Sequence, residues 1–81
     1  MYNLTTINME QTGKNIRMLR KQNNMTVSDI QDIFEFNTPN AIYKWEHGKN
    51  LPTIDNLVVL ATLFGTKIDD VIVVEGEIID T

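Results

Sequence analysis

Residues 37–57, NTPNAIYKWEHGKNLPTIDNL, hold the side chains of this 81-residue chain best suited to reading a hydrogen-bonding surface. At helical spacing Ala41, Ile42 and Trp45 fall on one side, and Pro39, Asn40, Tyr43, Lys44 and His47 on the other. The Asn40 amide offers a donor and an acceptor in one plane. Lys44 offers three donors on a point charge, and Tyr43 a phenol at the end of an apolar ring. A short helix with a buried stripe and a polar, hydrogen-bonding face suits a reading head laid into a groove. The plain alternative is that the same face is merely solvated.

The elements that must position this face follow from the flanking sequence. Residues 1–8 show no period and read as an N-terminal arm or loose lead-in. From Met9 to about Asn23, Met9, Ile16 and Leu19 recur near helical spacing with Gly13 on the same side, Asn8 as cap and Asn23-Asn24 as stop. Thr26 caps a second helix with Asp29 three residues on, and Val27, Ile30, Ile33 and Phe34 make its apolar stripe. Glu35, Phe36 and Asn37 form a turn. Thr38 is then the expected cap of a third helix, with Pro39 at its first position, running over residues 38–47 to Gly48. Thr53 caps a fourth helix through Phe64, closed by Gly65; its apolar residues cover more than one stripe, which predicts the most buried helix. A short fifth helix covers residues 68–72, with Asp69 and Asp70 in its first turn. The tail VIVVEGEIIDT reads as helix end followed by an extended or strand-like segment. The expectation is an all-α, five-helix domain over residues 9–73, preceded by the arm and followed by a tail at 74–81.

Composition narrows the function classes. One small domain without cysteine excludes disulfide staples and thiolate zinc sites, and leaves packing, aided by a partner subunit, to supply stability. No apolar run reaches the roughly 18 residues of a membrane span, and the first ten residues lack a signal peptide's basic and apolar regions, so a cytoplasmic protein away from membranes is expected. Net charge is −4, against the basic balance typical of nucleic-acid binders. Yet Lys14, Arg17, Arg20 and Lys21 lie in an acid-free stretch, while Asp69, Asp70, Glu75, Glu77 and Asp80 crowd the C-terminal end. The charge is segregated, with a basic first helix and an acidic tail.

Taken in order, the Thr-capped second helix, the short turn, the ending WEHGK and the following LPTIDNL resemble the phage repressor/Cro type of helix-turn-helix regulator over about residues 11–73. Within it, the stretch from Phe36 to Trp45 resembles a branch with the pattern Phe-x-x-Pro-x-Ala-Ile-Tyr-Lys-Trp, similar to regulators of Gram-positive bacteria and their mobile elements. Two positions depart from the common pattern. The turn is one residue longer, with Glu35 near the family's usual Gly, and Val27 replaces a Gln that touches the DNA backbone.

The resemblance implies a sequence-specific double-stranded DNA binder, a transcriptional repressor in particular, with the third helix in the major groove. Asn40 would pair with adenine, Lys44 would donate to guanine, and Tyr43 would meet a thymine methyl or a phosphate. Thr26, Ser28, Thr38, Lys49 and Asn50 would hold phosphates; a helix cap, a wet serine and solvated surface groups are the alternatives. Glu46 would pair with Arg20 to brace the third helix. Trp45 is read as core rather than as a stacking platform.

One short reading helix per chain implies a homodimer on a two-fold operator, through Val71, Ile72, Val73, Val74, Ile78 and Ile79. A second reading, in a different class, is a protein-interaction module of the anti-repressor or antitoxin kind, with the acidic tail contacting a protein partner. Enzyme chemistry finds no support. His47 is the lone histidine and has no second nitrogen or sulfur ligand nearby, so no metal site or other cofactor is implied. The Asp69-Asp70 pair is better placed to complement a helix terminus, and there is no Gly-rich phosphate loop.

Overall fold

The computed structural model of the protein describes residues 5–76. Five helices run in order as α1 (Met9–Gln22), α2 (Val27–Phe34), α3 (Asn40–Glu46), α4 (Ile54–Leu63) and α5 (Ile68–Val71). Strands β1 (Thr6–Ile7) and β2 (Val74–Glu75) pair antiparallel, Thr6 opposite Glu75 and Ile7 opposite Val74. The all-α, five-helix architecture with a strand-like C-terminal segment is therefore observed. Residues 6 and 7, part of the lead-in without period, are tied down as a strand.

Three of the helices, α1, α2 and α4, start where a side chain satisfies free N–H groups. Asn8 Oδ1 accepts from the Gln11 N–H at 3.0 Å, and Thr53 Oγ1 from the Asn56 N–H at 3.3 Å. Thr26 and Asp29 form a complete capping box, at 3.0 Å from the Asp29 N–H to Thr26 Oγ1 and 2.8 Å from the Thr26 N–H to Asp29 Oδ2. Hydrogen bonds from Thr26 to the carboxylate, its backbone N–H foremost and its side chain after it, hold the Asp29 carboxyl below its ordinary pKa.

Each helix then contributes one aliphatic side chain with no exposure to the common core: Ile16, Ile30, Ile42, Leu60 and Val71. Burial of a side chain of this size is worth about 1.5–3 kcal/mol. Five such residues converging from five segments explain why helices as short as four residues persist.

Four expectations need correction. α3 begins at Asn40 with Pro39 at the cap position, and Thr38 does not cap it. The chain makes bends at residues 37–39 first, and the Thr38 oxygen meets the Asn40 N–H at 3.4 Å, too long for a strong capping bond. α4 is not uniformly buried. Leu57, Leu60 and Ala61 face the core, while Ile54 is 75% exposed and Val58 48%. A five-helix domain this small covers one side of α4, and among the described residues the second apolar stripe has nothing left to meet. Met9 and Ile33 are likewise surface residues for want of a facing helix. Finally, Val71 is fully buried and Ile72 packs against the core, so these two apolar residues are spent within the chain rather than offered to a partner. Ile78 and Ile79, with Glu77 and Asp80 of the acidic tail, lie outside the described residues.

Candidate nucleic-acid interface

α3 is a seven-residue helix sorted cleanly into two faces. Ile42, Trp45 and Glu46 are buried, and Asn40, Tyr43, Lys44 and His47 are exposed. The Tyr43 and His47 rings, one turn apart, lie nearly parallel with centroids 6.4 Å apart, which limits where the phenol can swing.

What holds this face outward is an aromatic and ionic foundation. Phe34 and Phe36 stack at 5.1 Å, and both meet Trp45 edge-on, at 5.6 and 5.9 Å. Gln31 Nε2 donates to the Phe36 carbonyl at 3.1 Å, fixing the turn that carries Phe36 inward. Beneath the other end of α3, Arg20 Nε donates to Glu46 Oε2 at 2.7 Å and Nη2 to Oε1 at 3.1 Å, a two-pronged pair out of solvent. Arg20 Nη1 donates to the Met25 carbonyl at 3.0 Å, so one guanidinium joins α1, the start of α2 and the end of α3. The Glu46 hydrogen bond raises the Arg20 pKa above its ordinary value, against the opposing effect of burial.

The remaining candidates lie outside α3. Thr26 and Ser28 are exposed at the start of α2, and the Thr26 side chain is engaged with Asp29 in the capping box. Thr38 is exposed, with Oγ1 accepting from the Asn40 N–H at 3.4 Å. Lys49 and Asn50 are exposed past Gly48, and their backbone N–H groups go to the Lys44 carbonyl at 2.9 and 3.4 Å. Only their side chains remain free for a ligand.

Sequence reasoning missed Phe36 as a support, because it stands in a turn. The signal was there, since a large aromatic beside a proline turn must be buried somewhere. It also passed over the function of Gly13. A Cβ at that position would lie 2.4 Å from the Trp45 carbonyl oxygen and 2.6 Å from that of Glu46. A glycine inside a helix costs about 0.5–1 kcal/mol relative to alanine, and such a cost points to close backbone approach.

The pattern of a helix-turn-helix family matches residues 16–71, from the middle of α1 to the end of α5. The chain belongs to the helix-turn-helix family. That membership makes it a DNA-binding regulator of the Cro type and not an enzyme. Two solved structures share the fold. The crystal structure of the DNA-binding domain of BldD superposes with a TM-score of 0.67 at 18% identity, covering 80% of this chain and 93% of that one. The S. venezulae BldD DNA-binding domain gives 0.67 and 18%, covering 80% and 96%. No curated protein matches the chain in sequence. No helix among the described residues is long and apolar enough to cross a membrane.

Proposed function

We propose that this helix-turn-helix protein binds double-stranded DNA sequence-specifically as a transcriptional repressor in the cytoplasm, with α3 in the major groove. The observation that carries the proposal is the sorting of α3: Asn40, Tyr43 and Lys44 face solvent from a helix whose other side is anchored by Ile42, Trp45 and Glu46. Asn40 pairs with an adenine edge, Lys44 donates to guanine O6 and N7, and Tyr43 meets a thymine methyl or a phosphate. Thr26, Ser28, Thr38, Lys49 and Asn50 hold the flanking backbone and set the register. Two copies bind half-sites one DNA turn apart, because a single seven-residue helix reads too few base pairs to specify an operator.

Selection of bound fragments from random duplexes tests this, and the expected product is a two-fold symmetric motif. Asn40→Ala and Lys44→Ala should each lose about 1–3 kcal/mol of discrimination at one position of the half-site, with thermal stability unchanged because both side chains are exposed. Duplex retention that is absent, or indifferent to salt, favours instead a protein-interaction module.

A further inference from the structure

α1 is held from two sides. Along one side, Asn8, Thr12 and Asn15 stand at i, i+4 and i+7 and grip the segment that ends the described chain. The Asn8 N–H donates to the Val73 carbonyl at 2.8 Å, and Asn8 Nδ2 to Glu75 Oε2 at 3.1 Å. Thr12, with no exposure at all, accepts the Val73 N–H at 2.9 Å and lies 3.4 Å from the Val73 carbonyl. Asn15 Nδ2 reaches the carbonyls of Asp70 and Val71 at 2.7 and 2.8 Å, the exposed acceptors at the end of α5.

On the other side, α1 touches the end of the reading helix backbone to backbone. Gly13 lies against the Trp45 and Glu46 carbonyls. Gly48, at a φ of +71°, lies so close to α1 that a Cβ on it would sit 2.8 Å from the Glu10 Cα. No flexible side chain intervenes at either place. Close-packed interiors have little compressibility, so a displacement of the first two turns of α1 must appear at the end of α3.

We propose that Thr12 and Asn15 are positioning residues for DNA binding. They key residues 70–75 to α1, and α1 carries that constraint through Gly13 and Gly48 to the helix bearing Asn40, Tyr43 and Lys44. The C-terminal segment is thus a control point for DNA affinity, although nothing in it belongs to the reading face. This inference rests on the DNA-binding reading for its consequence, but the mechanical link has a readout of its own.

Thr12→Val keeps shape and volume while removing both hydrogen bonds to Val73; Thr12→Ser restores the hydroxyl. Amide hydrogen exchange and affinity for the selected duplex are measured on the full chain, at a temperature where circular dichroism shows every variant folded. Thr12→Val should speed exchange over residues 70–75 and also over 43–48. Affinity should fall about three- to tenfold, the worth of one ordinary hydrogen bond, with the salt slope unchanged because no phosphate contact is lost. Thr12→Ser should return all of these toward wild type. Should Thr12→Val fail to fold, Asn15→Ala at a half-exposed position removes the α5 clamp and carries the same expectations. Faster exchange at 70–75 with wild-type exchange at 43–48 and wild-type affinity overturns the proposal, as does unchanged exchange at 70–75. If wild-type protein retains no duplex while exchange at 70–75 and 43–48 stays coupled, the DNA reading fails and the mechanical link stands.

Discussion

The Arg20–Glu46 pair gives the sharpest energetic test of how the reading helix is held. Its side chains are 11% and 5% exposed, so removing Glu46 strands a guanidinium with only the Met25 carbonyl for company. Breaking a buried pair from one side costs about 3–5 kcal/mol, whereas replacing both partners by apolar groups of similar size is often neutral. At about 0.05–0.15 kcal/mol per residue, a chain of this length has roughly 4–12 kcal/mol in all. Glu46→Ala should therefore remove at least a quarter of the stability, and all of it at the low end. Arg20→Met should be comparably severe, and Arg20→Met/Glu46→Leu should recover most of the loss. Urea unfolding followed by the fluorescence of Trp45, the chain's single tryptophan and 5% exposed, reads the whole cycle. The Arg20 pKa is raised on folding, so its contribution is fully present below the ordinary arginine range and is lost only as pH climbs through the raised value. The cycle should accordingly give the same Arg20 contribution on either side of neutrality. A loss under about 1 kcal/mol for Glu46→Ala, the size of a surface pair, would refute the claim that this pair braces α3.

Two other predictions follow from the same foundation. Trp45→Ala removes the residue on which Phe34 and Phe36 converge and should cost about 3–5 kcal/mol, read as a collapse of the thermal transition by circular dichroism. Asp29 has its carboxyl pKa depressed by the capping bonds, so its contribution is present above the ordinary carboxylate range and fades as pH falls through the depressed value. Stability curves of wild type and Asp29→Asn should differ in neutral solution and converge in acid; parallel curves would mean that the capping box contributes nothing.

Much of this was legible from residues alone because caps and periodicity act locally. Thr26 with Asp29, Asn8, and Thr53 with Gly65 mark helix ends by chemistry that operates over four residues. The larger failures are non-local. Nothing in the spacing of Ile54 and Val58 says that no helix lies opposite them, because coverage depends on how many elements the domain has to spare. Thr38 reads as a good cap, yet the helix starts at Asn40 with Pro39 at the cap position, and the Thr38 oxygen meets the Asn40 N–H only at 3.4 Å. Glu35, at a position where the resemblance suggests glycine, adopts the left-handed conformation at a φ of +57° without being one. The local preference was right about the backbone and silent about which residue would bear it. The candidate reading face was legible because a two-faced helix declares itself through Trp45 and Ile42, whereas the grip of Thr12 on Val73 spans 61 residues and leaves no local pattern.

The acidic balance of the chain becomes tractable once its cations are placed. Of seven basic side chains, Arg20 is locked inside the fold and Lys14 pairs with Glu10 at 3.3 Å on the surface. The basic first helix expected from sequence thus keeps Arg17 and Lys21 as its unpaired charges among the described residues. Lys44 and Lys49 are the cations on and beside the reading face. Each phosphate neutralised contributes about −0.9 to the slope of log affinity against log salt, so Lys49, the one of the two given to a phosphate, predicts about −1 per domain and about −2 for a bound pair. Lys49→Ala should reduce the slope by about one unit per domain with base preference intact, while Lys44→Ala should change the preference itself. A slope much steeper than about −2, or one unmoved by Lys49→Ala, would place the phosphate contacts elsewhere, on Arg17 and Lys21 first. On the proposed reading, so weak an ionic term is a reason for a two-fold arrangement. With few charges to lend sequence-independent affinity, binding has to be built from base contacts at two half-sites together.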